Sequence, residues 1–303
     1  MSRVILKGLN GANPLGFLAA IGLLRLLRQD SDLARIGFLP DGSFHPFVEG
    51  FDGDLAALVC RDAALAEGKQ SWFLEYEKQE KKGVKVVADL KAPPEAFATY
   101  LSNCVDRWLK GEREAVAYAA AFGTSVAVDT TKMRNTKPTA LHFTAANQQF
   151  LRTVEVIRSS ITSEWVACSL FEGHADRPGL NLRWDPAAER NWALRLNDPQ
   201  KEDTRVDAPL EWLAFRGLPL FPSFPCGTRI ITTAVSGRGD DMEMAWPLWS
   251  VPVSLQTARS ALQMTWTGAS RDRAIRGVFA VCTSTIRRTS QGFGNFGPAT
   301  VTT

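Results

Sequence analysis

Residues 6–29 read LKGLNGANPLGFLAAIGLLRLLRQ, and an α-helix is predicted to begin inside them at Pro14. Asn13 can accept hydrogen bonds from the first free helix N–H groups, and Pro14 suits the first helical position, where no N–H is needed. From there Leu15, Phe17, Leu18, Ile21, Leu23, Leu24, Leu26 and Leu27 leave no polar face until Arg25 and Arg28. Such a helix is expected to be buried on most sides, so the rest of the chain is expected to pack around residues 14–28. Gly11 and Gly16 flank the cap with short side-chain positions that admit another backbone or a ligand. Two readings of this turn stand open: a tight Gly-Asn-Pro approach to a buried helix, or an anion site at the helix N-terminus.

Working outward, composition sets the limits. The 303 residues are 45% hydrophobic, enough to bury a sizeable core. The apolar run from Leu15 to Leu27 is broken by Arg25 and is too short to span a bilayer, and its flanks lack a basic region with a cleavage site. Neither a membrane partner nor a signal peptide is expected. Cys60, Cys104, Cys168, Cys226 and Cys282 are odd in number, widely spaced and never in a CxxC pair, which suits a reducing cytoplasm and gives no zinc pattern. Net charge is only +3, so the distribution of charge matters more than its total.

In the N-terminal half, Ile36–Phe38 and Phe44–Val48 flank the turn Pro40-Asp41-Gly42 and predict a hairpin, with His45 at its rim. Asp54 precedes a helix carrying Leu55, Leu58, Val59 and Leu65. Glu75 to Lys91 mixes lysines with acids around Gly83 and reads as a solvated hairpin, with a phosphate-contacting loop as the alternative. Pro93-Pro94 opens a helix in which Phe97, Leu101, Val105 and Leu109 recur every four residues, and Gly111 ends it. Glu112 to Phe122 is alanine-rich and predicts a second helix packed on the first.

The chain changes character at Gly123. DTTKMRNTKP, residues 129–138, places Lys132, Arg134 and Lys137 among small polar residues with no apolar period, a loop suited to nucleic-acid phosphates. Asn135 lies in the same loop. After it come a predicted strand, Leu141–Phe143, and a helix behind Thr144 with the apolar face Phe150, Val154, Ile157 and Ile161. That would put Gln148 and Gln149 in the first helical turns, where an amide can read a base edge or simply cap backbone. Leu182–Trp184 and Trp192–Leu196 predict two short strands around Asp185-Pro186, with Arg183, Arg190 and Arg195 between aromatic side chains. The polar stretch 200–208 is either the boundary between a main α+β region, 1–200, and a C-terminal α+β region, 209–303, or an exposed loop within one compact domain.

Beyond it, Leu210–Phe215 predicts a short helix ending at Gly217, and Pro219, Pro222 and Pro225 predict an extended connector. Arg229–Val235 and Met242–Trp249 bracket residues 236–241 as a hairpin, and Ser254 caps a helix with Leu255, Ala258 and Leu262. From Gly268 onward Arg271, Arg273, Arg276, Arg287 and Arg288 face one acid, Asp272, the strongest local charge asymmetry in the chain. The glycine-rich end TSQGFGNFGPATVTT lacks apolar periodicity and reads as a basic region's tail or an edge segment that orders on a partner. Hairpin signals outnumber βαβ units, so an α+β fold with a mixed or antiparallel sheet and several packed helices is expected.

With three histidines and no GxSxG, HExxH, P-loop, GxGxxG or Cys/His arrangement, the motifs rank a binding module above an enzyme, with no catalytic residue, cofactor or metal ligand assigned. The rival readings are a purely structural adaptor between protein subunits and a metal-dependent nuclease using acids such as Asp129, Asp240 and Asp241.

Four segments carry a resemblance: NGANPLGFLAAIGLLRLL, KPTALHFTAANQQFL, LRWDPAAERNWALRLNDP and LAFRGLPLFPSFP. Together they resemble CRISPR-associated proteins of subtype I-G, formerly I-U, in particular the short large-subunit-like or helicase–nuclease-extension family. The resemblance implies a cytoplasmic prokaryotic subunit of a crRNA-guided surveillance complex in antiviral defence. Its implied partners are target double-stranded DNA, crRNA, other CRISPR-associated subunits and a helicase–nuclease. The expected contacts are Lys132, Arg134 and Lys137 on phosphates, Asn135, Gln148 and Gln149 in a groove, and Arg271, Arg273, Arg276, Arg287 and Arg288 as a second electropositive strip.

Overall fold

A computed structural model of the chain describes residues 3–65, 72–80, 83–130, 134–144, 148–173, 175–188, 204–266, 270–288 and 294–303. The helix of the opening stretch, α1, spans Pro14–Asp30 after a short strand β1, Arg3–Ile5. Asn13 caps it as its type requires, accepting from Leu15 N and Gly16 N while its own Nδ2 donates to Asp185 Oδ1 at 3.2 Å. A Cβ on Gly16 would lie 2.3 Å from the Asn10 carbonyl oxygen, so the turn needs glycine for its own backbone rather than for a ligand.

Strands β2, Arg35–Phe38, and β3, Pro46–Glu49, form the predicted hairpin, which β1 extends to an antiparallel sheet ordered β1-β3-β2. Helix α2, Leu55–Leu65, starts behind Asp54, whose side chain accepts from Ala56 N and Ala57 N. Strands β4, Tyr76–Glu80, and β5, Gly83–Val87, pair as the solvated hairpin. Helices α3, Pro94–Leu109, and α4, Arg113–Phe122, follow and pack on each other. In α3 the buried stripe is Phe97, Tyr100 and Cys104, whereas Val105 and Leu109 are exposed. The four-residue row predicted as the core face drifts because each such step advances about 40° around a helix of 3.6 residues per turn.

Next come β6, Gly123–Val128, and β7, Thr136–Pro138, paired antiparallel, then α5, Phe150–Ser159, and α6, Ser163–Phe171. A two-residue pair, β8, Arg177–Pro178, with β9, Arg205–Val206, precedes α7, Ala208–Gly217. The segments predicted as strands at Leu141–Phe143 and Leu182–Trp184 are irregular; the one at Trp192–Leu196, with Arg190 and Arg195, lies outside the described residues. Trp184 is fully buried and donates to Leu141 O, so its ring is core rather than a surface for bases.

Two hairpin-like pieces close the chain's middle. β10, Ser223–Cys226, pairs with β11, Arg229–Thr232, so the proline-rich stretch ends as an edge strand instead of a connector. Ala234 then takes a left-handed conformation, φ 64°, and breaks the predicted run. Of that run only the end enters β12, Val235–Ser236, which pairs with β13, Glu243–Trp249. After α8, Leu255–Leu262, capped by Ser254, and α9, Ser270–Ile275, the long strand β14, Val278–Arg288, pairs with β13. The glycine-rich end is not a free tail: β15, Gly294–Phe296, and β16, Thr300–Thr302, both pair antiparallel with β14. The result is an α+β fold whose strand pairs are all antiparallel among the described residues.

Helix α1 sits at the centre, as predicted. Phe17 stacks on Phe38 and Trp246 at 5.8 and 5.5 Å between ring centroids, and Trp246 donates to Gly11 O, so β13 covers one side. The other side lies along α7. The expected 200–208 boundary therefore falls immediately before a helix that packs along α1, and one apolar cluster runs from Leu6 to Phe296.

The start of α7 gathers buried acid. Asp207 caps it, accepting from Leu210 N and Ser169 Oγ, and burial pushes its carboxyl up to about 6. One turn on, Glu211 is 1% exposed, and its Oε2 has no hydrogen-bond partner among the described residues. Burial holds this carboxyl well above the glutamate range, with Asp185 and Asp207 adding repulsion. A raised folded-state pKa stabilises below the unfolded value and loses that contribution as pH rises through the folded one. Glu211→Gln, a neutral isostere, is expected to match the wild type in thermal unfolding at about pH 4 and to unfold at higher temperature than it at about pH 8. Equal unfolding temperatures at both pH values would contradict the upward shift of the Glu211 carboxyl.

Candidate nucleic-acid interface

Of the basic loop 129–138, residues 131–133 lie outside the described residues, Thr136–Pro138 form β7, and Asp129 N donates to Asn135 O at 2.8 Å. Arg134 is exposed with φ 47°, a conformation that turns the chain sharply at the tip. Lys137 Nζ donates to Thr228 O at 2.9 Å, which ties this hairpin to the turn of β10–β11 and brings Lys137 beside the exposed Arg229. Lys132 lies outside the described residues. Asn135 is half-buried, with its carbonyl used in closing the turn.

The two hairpins are registered by a buried hydroxyl cluster. Thr232 Oγ1 accepts from Ala140 N at 2.9 Å and meets Thr139 Oγ1 and Ser223 Oγ at 3.3 and 3.0 Å. Thr139 N donates to Phe122 O, so α4, β7 and β10–β11 are locked to one another. The consequence is that the hairpin carrying Arg134 and Lys137 is joined to the turn next to Arg229.

The glutamines have other work. Gln149 is the residue before α5 and accepts from Ala88 N at 2.7 Å. Gln148 Nε2 donates to Asn181 O at 2.7 Å and Thr153 Oγ1 at 3.2 Å. Both amides thus join α5 to distant backbone, and neither lies in the helix's first turns, because α5 starts at Phe150 rather than behind Thr144. A base edge would have to compete with these internal bonds.

The same segment carries a buried dyad. His142 Nε2 meets Asp89 Oδ1 at 2.9 Å, and Asp89 also accepts from Lys91 N and Phe150 N. Burial pushes His142 below its ordinary value and would raise Asp89, but the His142 contact and the two backbone N–H groups bring Asp89 net downward. The contact pins residue 142 to the strand-to-helix segment around Asp89.

The second strip of cations divides. Arg271, Arg276 and Arg287 are exposed. Arg273 is buried and donates to Thr303 O at 3.1 Å. Arg288 donates to Ala140 O at 2.8 Å, lies over the Phe143 ring, and is held below the usual arginine value by burial. Those two side chains are spent on internal backbone, and Arg276 and Arg287 stand at opposite ends of the 11-residue β14, so the five arginines do not form one strip.

Sequence reasoning missed Arg229 and the face it shares with Phe224 and Ile231, because the flanking prolines masked a strand. Among the described residues no group of three or more His, Cys, Asp or Glu side chains is placed to hold a metal, and Asp240 and Asp241 are exposed in a single turn. No helix of the described residues is long and apolar enough to cross a membrane. No protein-family model matches the chain, and no curated protein sequence matches it.

Proposed function

We propose that the chain is a non-catalytic subunit of a crRNA-guided type I CRISPR surveillance complex and contacts target DNA through the joined β6–β7 and β10–β11 hairpins. The observation that carries this reading is the Lys137–Thr228 bond, which joins the hairpin carrying Arg134 and Lys137 to the turn next to Arg229. Three cations on rigid hairpin turns suit phosphates, whose contacts set register and affinity, while guide pairing supplies sequence. Arg271, Arg276 and Arg287 are further exposed cations. The subtype I-G resemblance supplies the biological setting, including crRNA, the other subunits and a helicase–nuclease as partners.

The test is omission: the complex is reconstituted from the proteins of the neighbouring genes and guide RNA, with and without this chain, and titrated with target duplex. Loss of most duplex affinity without the chain is the expected result. Full affinity without it would overturn the reading.

The adaptor reading retains one specific support. Val105, Trp108 and Leu109 on the last turns of α3 are at least half exposed, an apolar ridge suited to another protein subunit. It predicts that the chain joins the complex through α3 and that duplex affinity does not depend on Arg134, Lys137 and Arg229.

A further inference from the structure

We propose that the outward face of the β10–β11 hairpin is a stacking platform for unpaired bases of a single-stranded nucleic acid. This rests on the nucleic-acid reading above and adds to it the form of nucleic acid and the residue that meets the base. The register pairs Ser223 with Thr232, Phe224 with Ile231 and Cys226 with Arg229. Side chains alternate along each strand, so Ser223 and Thr232 share one face and Phe224, Ile231, Cys226 and Arg229 share the other. The first face is buried in the hydroxyl cluster with Thr139. The second faces solvent, with Phe224 53% and Ile231 45% exposed although both are large and apolar.

What surrounds this face selects its occupant. Arg229 donates toward Cys226 Sγ at 3.7 Å, which lays its guanidinium over the same face one pleat beyond Ile231. Lys137 Nζ is fixed at the turn by Thr228 O, and Arg134 lies three residues before Lys137. Across hairpins 123–138 and 223–232 the sequence carries Lys132, Arg134, Lys137 and Arg229 against the lone acid Asp129. A flat aromatic–aliphatic pair bordered by cations matches a strand whose bases are uncovered and whose phosphates lie alongside. Duplex DNA keeps its base faces stacked inside, and two side chains give far less apolar area than the roughly 1,000 Å² a stable protein interface needs.

The test uses the purified full chain and fluorescent oligo(dT), with a duplex of mixed sequence measured in parallel. Phe224→Ala is expected to weaken oligo(dT) binding about tenfold, Phe224→Leu to weaken it similarly because the π face is lost, and Phe224→Trp to retain it. Arg229→Ala should weaken both probes. Unfolding curves check that the exposed position tolerates each change. Oligo(dT) affinity unaffected by Phe224→Ala, or fully kept by Phe224→Leu, would overturn the proposal. So would loss of another subunit's association with oligo(dT) binding intact, which would make the face a protein contact. If duplex binds and oligo(dT) does not, this proposal alone falls; if neither binds, alone or in the complex, the parent reading falls with it.

Discussion

Arg216→Ala is expected to lower the unfolding temperature by about 5–8 °C. Arg216, on α7, is buried and ties four helices together. Its NH2 meets Asp62 Oδ1 of α2 at 3.0 Å and Glu114 Oε1 of α4 at 2.8 Å, and its NH1 donates to Tyr118 at 2.9 Å. Arg25 of α1 joins the same Glu114 at 3.0 Å and donates to Arg216 O. Trp212 Nε1 donates to the second oxygen of Asp62. Removing the guanidinium strands Asp62, whose carboxyl burial already pushes upward. An uncompensated buried charge costs about 3–5 kcal/mol, whereas removing both acids together with the arginine should recover much of it. Thermal unfolding of Arg216→Ala beside Asp62→Asn/Glu114→Gln/Arg216→Met checks the point. A single variant as stable as wild type would show that packing alone holds these helices.

Gly22→Ala is expected to cost about 3 kcal/mol or more, or to abolish soluble expression. A Cβ at this position would lie 1.7 Å from the Leu213 carbonyl oxygen and 3.0 Å from Gly217 N, so α1 and α7 touch backbone to backbone there. No side-chain rotation relieves that clash; the helices themselves must part. Gly42→Ala is the matched control. It needs a positive φ of 87° but has open space around it, so only backbone strain of roughly 1–2 kcal/mol is expected. Equal expression and stability of the two variants would place α1 and α7 farther apart than described.

That close approach also shows where sequence reasoning stops. The Asn13-Pro14 start and the all-round apolar surface of α1 were legible because cap chemistry and burial act locally. Gly22 left a quieter signal: glycine inside a helix costs about 1 kcal/mol against alanine, so its presence asks for a packing reason, but not which helix supplies it. Distance hid the rest. The partners of Gln149 and Gln148 are Ala88 and Asn181, and Leu141 is held by Trp184, so local pattern made readers and a strand of residues whose bonds are tertiary. The C-terminal glycines concealed two edge strands because their apolar content is low and their partner, β14, supplies the sheet face. In the candidate interface the loop cations were visible one by one. Their assembly was not, since it depends on a lysine reaching a carbonyl far along the chain.

The most direct test of the interface is the salt dependence of duplex binding by the complex containing this chain, compared with one containing Arg134→Ala/Lys137→Ala/Arg229→Ala. Each phosphate that no longer meets a cation takes about 0.9 off the slope of log K against log salt. Weaker binding and a slope shallower by about two to three units are expected for the triple variant. Identical affinity and slope in both complexes would contradict it.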